Sequence, residues 1–238
     1  MTDHPPKPRL MLRVGITGHR PNKLPKADLP RIARQLRETF AAIEAAVASA
    51  CDANQATYSS EPGTNGKPYS IHLICGFAEG ADQMAVAACP ADWIVEAILP
   101  FPKDEYLKDF EKSAGGDGRD VRGELLASLA RASVVTELPM PQERNQGYVE
   151  SGNVLLGQID VLIAVWDGEP PKPGGTGVIA QQARDGGIPV VWIAAAGDQP
   201  IALIESFRDD KPVPAAEAWS ERTLQATLEP ILAAASTD

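Results

Sequence analysis

Apolar residues along the chain fall into two alternating patterns. Short stretches are apolar almost throughout: 12–17 (LRVGIT), 71–75 (IHLIC), 93–99 (WIVEAIL), 133–138 (SVVTEL), 159–166 (IDVLIAVW) and 188–194 (IPVVWIA). Each is closed by glycine, proline or a polar residue, the pattern of a strand buried on both faces. Between them, apolar residues recur at steps of three and four. From Asp28, a good N-cap residue with Pro30 just inside, they fall at Leu29, Ile32, Leu36, Phe40, Ile43 and Val47, which predicts a long amphipathic helix. Further helices are expected after the 76–82 loop to near Cys89–Pro90, and over 103–112, 121–132, 142–157, 177–185 and 220–235. Residues 58–68 (YSSEPGTNGKP) read as an exposed loop or ragged hairpin and 115–118 as a mobile turn. Wholly apolar strands alternating with helices indicate a parallel sheet covered on both faces. The predicted fold is α/β: a doubly wound, mostly parallel, Rossmann-like sheet. No internal repeat or composition break divides it, so one domain over 1–238 is expected, with a flexible basic tail (1–10) and a C-terminal extension (196–238) of less regular chain closed by a helix.

Composition narrows the class. Hydrophobic residues at 44% and charged residues at 23% exclude a disordered chain. No apolar run approaches the ~18–20 residues needed to span a bilayer, and no apolar leader precedes the first strand, so a cytoplasmic protein without membrane contact is expected. Cys51, Cys75 and Cys89 form no CxxC pair and read as buried apolar residues rather than a disulfide framework or a metal site. Neither a metal nor a cofactor is expected. Oligomerisation is left open.

Charge is unevenly spread. The net value is −10, yet residues 1–37 carry nine basic side chains against Asp3 and Asp28, so that stretch is +7 and the remainder −17. An acidic total disfavours nucleic acid as a partner, and a local positive field on it suits a small anionic ligand. A solvated basic helix face behind a mobile tail is the alternative.

Ligands of doubly wound sheets bind beyond the carboxyl ends of the strands, which selects three loops. After the first strand, Gly18 permits close backbone approach while Thr17, His19 and Arg20 offer a hydroxyl, an imidazole and a cation to a phosphate; alternatively Gly18 only ends the strand and Arg20 pairs with a surface acid. After the second strand, Gly76, Ala78 and Gly80 precede a helix whose free N–H groups could hold an anion, and Glu79 or Asp82 could accept from ribose hydroxyls or cap the helix. The third loop runs from Asp167 to Gly174, Gly175 and Thr176, where adjacent glycines before a helix form a phosphate cradle with Thr176 as cap or donor. A plain connection is its alternative. Neither GxGxxG nor GxxxxGK[ST] is present.

In combination and in this order, VGITGHRP (14–21), GFAEGADQMAVAA (76–88), LPFPKDEYLKDF (99–110) and DVLIAVWDG with the following GGTG (160–177) resemble the SLOG branch of the LOG superfamily, over roughly residues 12–195. These are Rossmann-like domains related to the LONELY GUY phosphoribohydrolases and to the DNA-processing protein DprA. The resemblance implies a nucleotide or nucleotide-derived ligand at the loops already selected, in bacterial stress or defence systems. It also implies that Tyr148 and Gly152 lie near the pocket, although helix-to-sheet packing would equally account for Tyr148. The hydrolases carry PGGxGTxxE. Here Pro173 to Gly177 fit, but Val178 replaces the threonine and Gln181 the glutamate. A neutral amide cannot act as a base or stabilise an oxocarbenium ion, which leaves Glu79 and Asp167 as candidate catalytic carboxylates. The first reading is therefore a nucleotide sensor or regulatory module, the second an N-glycosidase acting on nucleoside phosphates or NAD-like compounds, and DprA-like DNA binding the third.

Overall fold

The computed structural model describes residues 6–63, 65–111, 118–170 and 174–233. The residues of the expected turn at 115–117, the first five of the basic tail, Pro173 and the last residues of the terminal helix lie outside that set.

Six parallel strands carry the fold: β1 (Leu10–Gly18), β2 (Tyr69–Cys75), β3 (Ile94–Leu99), β4 (Ala132–Glu137), β5 (Val161–Trp166) and β6 (Val190–Ala194). Their order across the sheet is β4-β3-β2-β1-β5-β6, and an antiparallel pair, β7 (Ala202–Arg208) and β8 (Lys211–Pro214), extends the β6 edge. The chain steps outward from β1 to β4 and then returns to lay β5 against the other side of β1. This reversal opens a crevice at the carboxyl ends of β1 and β5. All six residues of β5 are buried, the burial that its unbroken apolar sequence demands.

Helices cover both faces. On one, α1 (Leu29–Ala53), α2 (Ala81–Ala88), α4 (Val121–Leu129) and α7 (Glu221–Leu232) pack with Leu12, Val14 and Ile16 of β1 into the larger core. On the other, α5 (Arg144–Leu156) and α6 (Thr176–Asp185) cover Ile74, Leu162, Ala164 and Trp166. Of the stripe expected of α1, Ile32, Leu36, Phe40, Ile43 and Val47 are all at most 1% exposed, while Leu29 in the first turn is only half-buried. Asp28 stands at the N-cap of α1 as expected, but its side chain bonds no helix amide: the carboxylate accepts from the Arg31 guanidinium at 3.2–3.3 Å. The expected helix over 103–112 is shorter, α3 (Lys103–Tyr106) running into a single 3-10 turn at Leu107–Phe110. The C-terminal extension is more ordered than its sequence suggests, because β7 and β8 form a hairpin that turns on Asp209 and Asp210, both with positive φ. All three cysteines are buried. Among the described residues no helix is long and apolar enough to cross a membrane.

Candidate functional site

The loops that follow β1, β2 and β5 meet at the crevice and line a cavity of about 700 Å³ that is open to solvent. Thr17, Gly18, His19 and Arg20 line it from β1, Gly76, Ala78 and Asp82 from β2, and Asp167, Gly174, Gly175 and Thr176 from β5. Glu79 and Gly80 do not line it. Glu79 is buried and ion-paired at 2.9 Å with Arg119. Gly80, at φ +104°, is pressed so closely on the His19 carbonyl that a Cβ would stand 2.4 Å from the oxygen.

Close packing fixes the end of β1. A Cβ on Gly18 would lie 2.3 Å from the Ala81 Cβ and 2.8 Å from the Val165 carbonyl oxygen, so the absent side chain is what lets α2 and β5 approach this strand. The main chain of His19 donates to Val165 O at 2.9 Å and accepts from Ala81 N–H at 3.1 Å. Its ring nitrogen Nε2 stands 3.2 Å from the Asp167 amide nitrogen and 3.0 Å from Asp167 Oδ2. These contacts exclude one another in hydrogen-bonding terms: an unprotonated Nε2 accepts from the amide, whereas a protonated one donates to the carboxylate. Burial holds the His19 pKa below its ordinary value, against the opposing pull of Asp167. Asp167 is pushed up by partial burial, but bonds from His19 and the Glu169 N–H, together with the nearby Lys23, outweigh this and leave its pKa lowered. A carboxylate in the cavity thus stays ionised at neutral pH.

On the β2 side Asp82 is 6% exposed. It does not cap α2, whose N-cap is Gly80 without a side-chain bond. It reaches back instead and accepts from the Ala78 N–H at 3.2 Å. Burial raises its pKa to about 7, with the Ala78 N–H, the Arg20 charge and the Gly76 N–H pulling the other way. Arg20 donates to the Tyr148 hydroxyl at 3.1 Å and stacks 5.5 Å from that ring's centre. Tyr148 in turn donates to Asp109, which also accepts from Arg144 at 2.7 Å and 3.0 Å. Tyr148 serves both expected roles, since it lines the cavity and packs edge-on against Phe101 at 5.3 Å. Gly152 also lines it. Sequence reasoning missed Asn22, Lys23, Tyr106, Asn145 and Ser151 as lining residues. No motif marks them, but the last two share with Tyr148 the face of α5 at steps of three.

The third wall is the start of α6. Gly174 adopts φ +71°, Gly175 is the N-cap with no side-chain bond to the helix, and Thr176 is 8% exposed with no side-chain hydrogen bond among the described residues. Among the described residues the first amides of α6 therefore have no side-chain partner, and Gly175, Thr176 and Gly177 line the cavity. Gln181 lies further along α6 and does not line the cavity. Among the described residues no group of three or more His, Cys, Asp or Glu side chains is arranged to hold a metal ion.

No protein-family model matches the chain, and no curated protein matches it. Among solved structures it is similar to DNA processing protein A from Helicobacter pylori, reported for its single-stranded DNA binding mode, with a TM-score of 0.41, 13% identity, and coverage of 94% of this chain and 74% of that one. The expectation that nucleic acid is disfavoured is corrected by this neighbour, a single-stranded-DNA-binding protein. Net charge sums over the whole surface, while the cavity lining includes Arg20 and Lys23, and association responds to the local field.

Proposed function

We propose that the cleft binds a nucleotide or nucleotide-derived small molecule and that the protein works as a sensor or regulatory module. The observation that carries this reading is the start of α6, where backbone amides and the Thr176 hydroxyl have no side-chain partner among the described residues and lie in the wall of a cavity that Arg20 and Lys23 also line. A phosphate there would meet oriented N–H dipoles, the positive end of the helix and two cations. Aromatic and apolar walls from Tyr106, Tyr148, Ile98 and Leu155 offer a base its complement.

Asp167 supports a second reading, N-glycosidic hydrolysis. It is the candidate carboxylate that lines the cavity, and it is held ionised, as stabilisation of an oxocarbenium-like transition state requires.

Thermal melts with AMP, GMP, ADP-ribose, NAD and cyclic nucleotides test the first reading. Binding to the folded state contributes RT ln(1 + [L]/Kd), about 2.7 kcal/mol at one hundred times Kd, a rise of roughly 5–10 °C for a chain of this size. At least one clear shift with little base released on prolonged incubation is expected. Catalytic release of base abolished by Asp167→Asn would favour the hydrolase. Salt-sensitive retention of a single-stranded oligonucleotide, without any mononucleotide shift, would replace both readings by DNA binding.

A further inference from the structure

The sheet ends in two outer strands, and they are built differently. At one edge β8 carries Lys211, Pro212 and Pro214 among its four residues, and charge with proline is how an edge strand is kept from pairing with another chain. At the other edge β4 runs Ala-Ser-Val-Val-Thr over 132–136, without proline, glycine or charge. Among the described residues no strand lies outside it. Its parallel neighbour β3 bonds the main-chain groups of alternate residues, so the remaining N–H and C=O groups of β4 point away from the sheet.

Apolar exposure gathers at the same edge. Among the described residues the exposed large apolar side chains are Met11, Leu126, Val134, Val135, Met140 and Ile231, so four of them fall on α4, on β4 or just after it. Val134 is 50% exposed. Val134 and Val135 are consecutive and stand on opposite faces, which makes this edge apolar above and below the sheet. Charge then sets a direction. Arg131, just before β4, is held by the Val86 carbonyl, and Glu137, its last residue, by the Lys103 N–H at 2.8 Å; both are exposed. The edge is positive where the strand begins and negative where it ends.

We infer that a second copy of this chain pairs on β4, antiparallel about a two-fold axis at Val134, and joins the two sheets into one. That alignment lays Val134 on its own copy, Ser133 on Val135, and Arg131 on Glu137 at both ends. A parallel alignment would set like charges together. The same patch serves both copies, so the contact closes at two chains. The cleft at the carboxyl ends of β1 and β5 stays clear of it, since β2 and β3 lie between β1 and β4.

Sedimentation of the full chain over a concentration series tests this pairing. A reversible dimer of twice the chain mass is expected. Val134→Lys places two like charges at the axis and should weaken the dimer at least about ten-fold, with circular dichroism unchanged because the side chain is exposed. Val134→Cys should cross-link to itself on mild oxidation with diamide, because directly opposed residues of antiparallel strands hold their Cβ atoms about 4.5–5.5 Å apart, close to disulfide reach. The native cysteines are buried and do not compete. Met11→Cys, exposed on the interior strand β1, is the collision control and should remain uncross-linked. A chain that stays monomeric up to about 100 µM would overturn the proposal, since specific dimers fall at or below this range. So would a dimer that Val134→Lys leaves intact, or assembly that grows beyond two chains. Cross-linking of Met11→Cys as fast as that of Val134→Cys would overturn the alignment at Val134.

Discussion

Replacing Asp82 by asparagine should change how stability depends on pH, and the sign follows from the site. In the unfolded chain the carboxyl titrates near 3.8, and in the fold burial moves it to about 7. Between these values the folded state binds more protons than the unfolded state, so the contribution of Asp82 to stability falls as pH rises through that window and is flat above it. Integrated from pH 5 to pH 8, the loss has a ceiling of about 3 kcal/mol. Asparagine keeps an acceptor for the Ala78 N–H and has no charge to bury. The other groups facing Asp82 are Arg20, Tyr106 and Cys75, and burial pushes the last two well above their usual range, so none changes charge between pH 5 and pH 8. Urea denaturation of both proteins at the two pH values isolates the effect, because every other titration cancels in the difference. The variant should gain on the wild type by up to about 3 kcal/mol on going from pH 5 to pH 8, equivalent to several degrees in Tm. A difference that is the same at both pH values would refute the reasoning and show that Asp82 is not held partly protonated by its surroundings.

Three further outcomes are expected. Gly175→Asp places a carboxylate where the α6 amides would meet an anion and should abolish any nucleotide-dependent melting shift, with circular dichroism unchanged. Gly18→Ala forces a Cβ to within 2.3 Å of the Ala81 Cβ and should destabilise by about 1–3 kcal/mol, read as a lower urea midpoint at unchanged m-value. Tyr148→Phe keeps the ring against Phe101 but removes the hydroxyl between Arg20 and Asp109; a stability loss of about 1–2 kcal/mol is expected in chemical denaturation.

Buried strands leave little room for ambiguity, so those of the sheet interior could be read from runs such as VLIAVW, and α1 from its stripe; the edge strand β4 was read correctly from SVVTEL although four of its six residues are exposed. The convergence of three loops was legible for a related reason: in a parallel sheet all carboxyl ends lie on one edge. The β7–β8 hairpin was not. β7 alternates poorly, β8 contains Pro212 and Pro214, and its turn uses Asp209–Asp210 at positive φ where a glycine would have signalled it. Nor was the Arg20–Tyr148–Asp109 chain, whose members lie 128 and 39 positions apart, because no local pattern encodes such a pairing. The direction of Glu79 also escaped the sequence. A carboxylate two residues before a helix can face either way, and Arg119, far along the chain, decides it.

The main chain of His19 is bonded on both sides, to β5 through its amide and to α2 through its carbonyl. A residue clamped in this way can exchange a proton, or swap the Asp167 amide for the Asp167 carboxylate, while its backbone stays still. Acid–base chemistry at the mouth of the cleft is thereby separated from shape, so a ligand arriving at low or high pH meets the same frame wearing a different charge.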